Sequence, residues 1–152
     1  MLGELGRRGL RAGTLKLIHH EGFTIHADGR DTARHWKAGA HFSIALAPGE
    51  TTMVRRTGGT HETLTDVEGL MPAGTDALLC EGLVTGGPEV RTVVCTTEAR
   101  QAPTYLRELP EHAHPVAVSG LVASATDEVE GMPALDVTDD HQLARLVDLV
   151  LG

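Results

Sequence analysis

A chain of 152 residues, 41% of them hydrophobic, is long enough to bury one substantial core. Its formal net charge of −8 excludes a nonspecific nucleic-acid binder, which would need a basic face to displace counterions from phosphates. No apolar run approaches the roughly 18 residues that cross a membrane, and the N-terminus lacks the apolar stretch of a secretory signal. We therefore expect one cytoplasmic domain, 1–152, with no nucleic-acid and no membrane partner.

Helices and strands are predicted to alternate along the first half of the chain. They are a helix at 2–8, a strand at 14–18, a helix from Asp31 or Thr32 to Gly39, strands at 41–47 and 51–56, and a helix at about 63–70. The polar segment 19–30 between the first strand and the second helix is predicted to be a loop. Pro48-Gly49 joins the two adjacent strands and predicts a β-hairpin near 41–56.

The second half of the chain continues the alternation. It holds predicted strands at 77–80, 92–95, 116–118 and 135–137, a helix at 102–109, and a terminal helix capped by Asp139 or Asp140. Strands that alternate with helices predict an α/β fold with a mostly parallel sheet and helices on both of its faces. Cys80 and Cys95 lie within apolar runs, which favours buried free thiols over a disulfide or a metal pair.

A cluster of charged residues and histidines at the end of the first predicted strand and the start of the next helix forms the first candidate site. Its members are Lys16, His19, His20, His26, Asp28, Arg30, Asp31, Arg34 and His35. Ligands of open α/β sheets bind at the carboxyl ends of the strands, and a helix N-terminus favours an anion. The cluster therefore predicts capture of a phosphate-bearing ligand, with a solvated surface loop as the alternative.

A metal site is a second interpretation of the same histidines. His19 and His20 are adjacent, so on a strand they point to opposite faces and do not both bind one ion without distortion. His26 and His35 would then join one of them, with Asp28 or Asp31 as oxygen ligand. The spacing matches no strong zinc signature.

A carboxylate at the end of a predicted buried strand forms the second candidate site. The run from Asp76 to Gly82 places Glu81 at the end of strand 77–80, directly before a glycine. An acid in this position resembles a Walker B arrangement, in which it holds Mg²⁺ or a magnesium-bound water beside a nucleotide. Many α/β strands end in an acidic residue, so this pattern indicates a nucleotide site only in combination with other residues of such a site.

Several of these segments resemble one family. They are Lys16 with His19-His20, Gly29-Arg30-Asp31-Thr32, Arg34-His35, Ala38-Gly39-Ala40, Ala47-Pro48-Gly49-Glu50-Thr51 and Glu81-Gly82. In this order they are similar to the molybdopterin-guanine dinucleotide biosynthesis protein B (MobB) family, over essentially the whole chain. The most specific part is the run from Asp31 to Ala40.

The resemblance implies a P-loop NTPase fold that binds GTP and Mg²⁺ and forms a homodimer. Such proteins assist the molybdenum cofactor guanylyltransferase, the enzyme that attaches GMP to molybdopterin. On the matching positions, the resemblance implies no catalytic residue and assigns Glu81 to the metal. It implies that a nucleotide or a molybdopterin-type ligand is bound by Lys16, His19, His20, Arg30, Asp31, Thr32, Arg34 and His35.

The sequence departs from this family at its start. The family begins with a strand and a GxxxxGK[ST] loop whose amides and lysine hold the phosphates, and this motif does not occur in the sequence. Residues 2–10 resemble the end of the helix that follows the loop. We therefore expect either a truncated reading of a longer protein or a degenerate member, at most a weak GTPase. Leu17 and Arg30 also stand where the family has His and Lys.

Three functions follow from the sequence. The favoured one is an accessory protein in the formation of molybdopterin guanine dinucleotide. The second is a catalytically silent adaptor that binds only a partner protein, and the third is a His/Asp metal-binding module unrelated to nucleotides.

Overall fold

The computed structural model describes residues 1–18, 31–57, 64–82 and 90–152. The chain divides into two compact units, the first made of Met1–Leu17 with Met71–Gly152 and the second of Ile18–Leu70. No helix in the described ranges is long and apolar enough to span a bilayer.

In its described residues the first unit contains six strands and three α-helices. Its elements are α1 (Leu2–Arg7), β1 (Ala12–Lys16), β4 (Ala77–Glu81), β5 (Arg91–Thr96), α4 (Ala102–Glu108), β6 (His114–Gly120), β7 (Glu128–Val129), β8 (Met132–Leu135) and α5 (Asp140–Leu151). Two short 3₁₀ turns, Ala99–Gln101 and Leu121–Ser124, precede α4 and follow β6. The second unit holds α2 (Asp31–Lys37), β2 (Phe42–Ala47), β3 (Glu50–Arg55) and α3 (Leu64–Glu68).

The strands of the first unit pair mostly in parallel. β1 and β4 form a parallel pair in register from Ala12 opposite Ala77 to Lys16 opposite Glu81. The other strands follow the order β5-β6-β8-β7, in which β5, β6 and β8 are parallel and only β7 is antiparallel to its neighbour. The prediction of a mostly parallel α/β sheet is confirmed.

Helices cover both faces of the sheet formed by β5, β6 and β8. On one face Val94 and Val118 pack with Ala102 of α4 and Val122. On the other face Ala117 and Leu135 pack with Leu146 of α5. Successive strand residues point to opposite faces, so Ala117 and Val118 belong to different core layers. This arrangement confirms the predicted helices on both sides.

The two ends of the first unit are held together by a charged network between α1 and α5. Arg8 donates to Glu4 Oε1 at 2.8 Å, to Asp148 Oδ1 at 2.6 Å and to the carbonyl of Ala144 at 3.0 Å. The guanidinium groups of Arg8 and then Arg7 lower the pKa of Glu4. Leu5 of α1 is buried beside this network, so apolar packing and charge pairing both fix the N-terminal helix.

In the second unit, α2 packs against β2, and β2 and β3 form the predicted hairpin. The strands are antiparallel in register from Phe42 opposite Arg55 to Ala47 opposite Glu50. Ala33 of α2 and Ser43 of β2 are buried. Small side chains at both positions let the helix lie close to the strand.

Two expectations from the sequence are wrong. The last predicted strand, 135–137, is instead Met132–Leu135, because the Asp136 carboxylate accepts a hydrogen bond from the Thr138 amide and forms a turn that ends the strand. Cys80 and Cys95 are free thiols, as expected, but both are exposed rather than buried. In the described sheets β4 pairs only with β1 and β5 only with β6, so neither cysteine lies in the middle of a covered sheet.

Candidate functional site

The carboxyl ends of β1 and β4 bring Lys16 and Glu81 together. The two residues are register partners, and Lys16 Nζ lies 2.7 Å from Glu81 Oε1. The amide of Leu17 donates to the Glu81 carbonyl at 2.9 Å, so the parallel pairing continues one residue past Lys16. Glu81 lies at the carboxyl end of β4, as the sequence predicts, and the structure adds that it lies beside Lys16.

Solvent surrounds this ion pair. The Lys16 and Glu81 side chains are 65% and 71% exposed, and an exposed pair typically contributes about 0–1 kcal/mol to stability. Its removal should therefore change folding little. The two charges point into solvent at the edge of the sheet where α/β proteins bind ligands, so both are accessible to an incoming molecule.

The donor set at this edge suits a metal that arrives with its own oxygen ligands. Mg²⁺ is usually bound by one or two carboxylates together with waters and phosphate oxygens, and Glu81 supplies one carboxylate. A metal held by protein side chains alone needs more, and among the described residues no group of three or more His, Cys, Asp or Glu is placed to hold one. Glu81 thus fits Mg²⁺ bound to a nucleotide.

The first turn of α2, in the second unit, carries the other predicted binding residues that the structure describes. Arg34 forms an ion pair with Asp31 one helical turn earlier, and both side chains are largely exposed. Thr32 is half-buried and His35 is exposed. Of the remaining predicted residues, His19, His20 and Arg30 lie outside the described ranges, as do His26 and Asp28 of the metal interpretation. The ligand role of this set stays a prediction.

Arg56 is a structural residue of the second unit that the sequence analysis missed. Its guanidinium lies 4.1 Å from the centroid of the Trp36 ring and donates to the carbonyls of Trp36 at 2.7 Å and Ala40 at 3.1 Å. The last carbonyls of a helix lack intrahelical partners. Arg56 therefore links the end of the hairpin to the end of α2, and no local sequence pattern marks such a contact across 20 positions.

An apolar face of the hairpin is the second feature that the sequence analysis missed. Alternate residues of β2 share one face, and three of them, Phe42, Ile44 and Leu46, are 56%, 48% and 80% exposed. Met53, opposite Ile44 on β3, is also exposed. A contiguous exposed patch of large apolar side chains is typical of a protein contact surface.

A mostly parallel sheet covered by helices, with a lysine and an acid at adjacent strand ends, defines an α/β protein, and this architecture is consistent with a P-loop NTPase-like fold. Comparison with family models identifies the family. The model of molybdopterin guanine dinucleotide synthesis protein B (MobB) matches residues 1–119, and the chain belongs to this family. A comparison with proteins of curated function found no significant match.

Solved structures carry the same fold. The crystal structure of Bacillus subtilis MobB is 23% identical, with a TM-score of 0.72 over 99% of this chain and 86% of that one. A MobB homologue from Bacillus stearothermophilus is 21% identical, with a TM-score of 0.64 over 97% of this chain and 81% of that one. A crystal structure of molybdopterin-guanine biosynthesis protein B is 16% identical, with a TM-score of 0.69 over 96% and 84% of the two chains.

Proposed function

We propose that this chain is an accessory protein in the formation of molybdopterin guanine dinucleotide, acting beside the molybdenum cofactor guanylyltransferase. Membership of the MobB family supports the broader role in molybdenum cofactor biosynthesis. The observation that carries the proposal is the Lys16–Glu81 pair at the carboxyl ends of two adjacent parallel strands.

In this proposal Lys16 and Glu81 receive the phosphate end of GTP with its Mg²⁺. A lysine ammonium attracts phosphate oxygens as a point charge. The Glu81 carboxylate, released from Lys16, supplies a ligand to the metal or to one of its waters. The chain contributes binding and positioning, and no catalytic residue is assigned to it.

The second unit supplies a separate set of polar residues to the proposal. We assign Arg30, Asp31, Thr32, Arg34 and His35, together with His19 and His20, to the phosphate or pterin end of a molybdopterin-type ligand or to the partner enzyme that carries it. Arg34 would exchange its Asp31 partner for a phosphate, which a guanidinium grips with two parallel hydrogen bonds. Because both side chains are largely exposed, breaking their ion pair requires little free energy.

A homodimer built on the apolar face of the hairpin completes the proposal. Phe42, Ile44 and Leu46 would bury this face against a second copy of the chain. Ile44→Glu should convert the homodimer into a monomer, and sedimentation velocity measures this change in oligomeric state. The same face would serve the second candidate function, a silent adaptor, if it binds a different protein. A chain that is monomeric before and after the substitution would contradict the homodimer.

The test of the proposed function uses the exposed ion pair of β1 and β4. Lys16→Ala and Glu81→Gln, expressed in cells that lack their own MobB-family protein, should lower the amount of guanine dinucleotide cofactor while the melting temperature changes little. Arg107→Ala is the matched control, because Arg107 forms another exposed ion pair in the same unit, with Glu130 at 3.3 Å. Cofactor amounts in both variants equal to those of the control would contradict the proposal.

A further inference from the structure

The amino ends of β1 and β4 are joined by a reciprocal pair of hydrogen bonds between Arg11 and Asp76. The Arg11 amide donates to Asp76 Oδ2 at 2.7 Å, and the Asp76 amide donates to the Arg11 carbonyl at 2.8 Å. Both residues directly precede the first register partners of the two strands, at the end of the strand pair opposite Lys16 and Glu81. The side chain of Asp76 thus extends the pairing by one step.

A tight turn leads the chain into β4 and holds Asp76 in place. The Thr75 amide and hydroxyl both donate to the Pro72 carbonyl, at 3.2 and 2.8 Å. The Arg11 guanidinium lies so close to Gly74 of this turn that an added Cβ would collide with it, and Arg11 Nε lies 3.8 Å from Asp76 Oδ2. Arg11 therefore contacts Asp76 through its backbone amide and through its side chain, and mutation separates the two contacts.

Packing alone specifies the register of β1 and β4 only weakly. None of the residues in these two strands is fully buried, and β1 contains Gly13, which has no side chain to pack. Register is poorly determined in such strands, because no fully buried face distinguishes one pairing from another. The hydrogen bonds of a parallel ladder are evenly spaced, so the ladder itself is compatible with more than one register. A side-chain contact at one end of the pair therefore strongly influences which register forms.

The contact between Arg11 and Asp76 is compatible with one register only. A slip of one residue would bring a different amide to Asp76 and turn the side chains of the slipped strand to the opposite face. Glu81 would then lie opposite a leucine instead of Lys16. A carboxylate that accepts from a backbone amide forms a charge-assisted hydrogen bond, which is roughly twice as strong as a neutral one. The contact is therefore both specific and strong.

We propose that Asp76 is a positioning residue, which fixes the register of β1 and β4 and thereby places the Lys16 ammonium beside the Glu81 carboxylate. The proposal rests on the function proposed above, because that function assigns a phosphate and its metal to this ion pair. Asp76 acts at a distance, since it lies about 16 Å before Glu81 along the extended strand. The atom that acts is Oδ2, because it binds the backbone amide whose position defines the register.

The structural test measures hydrogen exchange of the Leu17 amide by NMR of the full chain. This amide donates to the Glu81 carbonyl, at the far end of the strand pair from Asp76. In Asp76→Ala we expect it to exchange at least about tenfold faster, as loss of a hydrogen bond to a charged group predicts. Asp76→Asn keeps an oxygen acceptor for the Arg11 amide and should restore most of the protection. Unchanged exchange of Leu17 in Asp76→Ala would overturn the proposal.

Arg11→Ala separates the hydrogen bond to the Arg11 amide from the ion pair with its guanidinium. Alanine keeps the backbone amide that Asp76 binds, so exchange of the Leu17 amide should stay close to that of the unaltered chain. Thr75→Ala is the matched control, because it removes a hydrogen bond of the same turn that does not join the two strands. An acceleration in either variant equal to that in Asp76→Ala would overturn the proposal, because the ion pair or the turn would then hold the strands.

The unaltered chain provides a test that does not depend on the folding of any variant. If Asp76 fixes the register, the Arg11 amide is protected from exchange at least as well as the Leu17 amide, because the pair is held at the Asp76 end. An Arg11 amide that exchanges at least about tenfold faster than the Leu17 amide would overturn the proposal.

Cofactor formation in cells distinguishes a failure of this proposal from a failure of the proposed function. Asp76→Ala should lower the amount of guanine dinucleotide cofactor, and Asp76→Asn should restore it. A normal amount in Asp76→Ala, while Lys16→Ala and Glu81→Gln lose cofactor, would overturn the positioning role. Normal amounts in the Lys16 and Glu81 variants, with faster Leu17 exchange in Asp76→Ala, would contradict the function of the ion pair and still support the assignment of the register to Asp76.

Discussion

Gly120 combines two constraints at the end of β6. Its φ is 92°, in the left-handed region, and a Cβ atom added there would lie 2.3 Å from the Thr96 carbonyl oxygen of the neighbouring strand. The first constraint strains any other residue by about 1–2 kcal/mol. The second forces β5 and β6 apart just where both strands end.

Replacement of Gly120 by alanine is therefore expected to destabilise the protein by more than about 2 kcal/mol. Gly131→Ala is the matched control, because Gly131 also has a positive φ, 80°, but an added Cβ would meet no atom within 4 Å. Urea denaturation followed by circular dichroism measures both. If the two variants lose equal stability, the close approach to Thr96 has no energetic effect.

At the scale of elements, the join between α2 and the hairpin depends on Arg56. Its guanidinium combines a cation–π contact with Trp36 and two hydrogen bonds, one to the Trp36 carbonyl in the last turn of α2 and one to the Ala40 carbonyl just after the helix. A cation–π contact at an exposed site contributes about 0.5–1 kcal/mol, and hydrogen bonds from a charged donor add to it.

We expect Arg56→Ala to destabilise the second unit by roughly 1–2 kcal/mol and Arg56→Lys by less, since lysine keeps the charge but not the planar fork. Trp36 is the only tryptophan of the chain, so its fluorescence during denaturation reports this unit selectively. An unfolding midpoint of Trp36 fluorescence that is the same in the alanine variant and the unaltered chain would count against the contact.

Local patterns explain which elements were predictable. The hairpin turn at Pro48-Gly49 and the cap of α5, where Asp139 accepts from the Gln142 amide at 2.8 Å, depend on residues close in the sequence. The prediction failed near β8, where the Asp136 side chain forms a turn and the strand ends at Leu135, two residues earlier than expected. The contact between Arg11 and Asp76 was missed because the two residues lie 65 positions apart and only the strand pairing brings them together.

The candidate site was predictable in the same partial way. The positions of Lys16 and Glu81 at strand ends were predicted separately, and their approach follows because parallel neighbours end at one edge of the sheet. The apolar face of β2 and the contact of Arg56 with Trp36 were not predicted, because the first depends on which face α2 covers and the second on a pairing 20 residues apart.

For the whole molecule, the sequence lacks the GxxxxGK[ST] loop whose backbone amides grip nucleotide phosphates. One lysine and one carboxylate at the sheet edge replace few of the phosphate contacts that this loop makes. We therefore expect this chain to bind GTP with Mg²⁺ only weakly and to hydrolyse it negligibly. Isothermal calorimetry and a phosphate-release assay on the 152-residue chain measure both. A dissociation constant in the micromolar range would contradict this prediction and show that other residues bind the phosphates in place of the loop.

The pairing of β1 with β4 has a consequence for synthesis on the ribosome. Lys16 and Glu81 are 65 positions apart, so at roughly 5–20 residues per second β1 waits for its partner for about 3–13 s after it is made. The hydrogen bond from Arg8 to Asp148 forms later still, because Asp148 lies 140 positions downstream. The contact between the end of α1 and α5 therefore cannot form before α5 has left the exit tunnel.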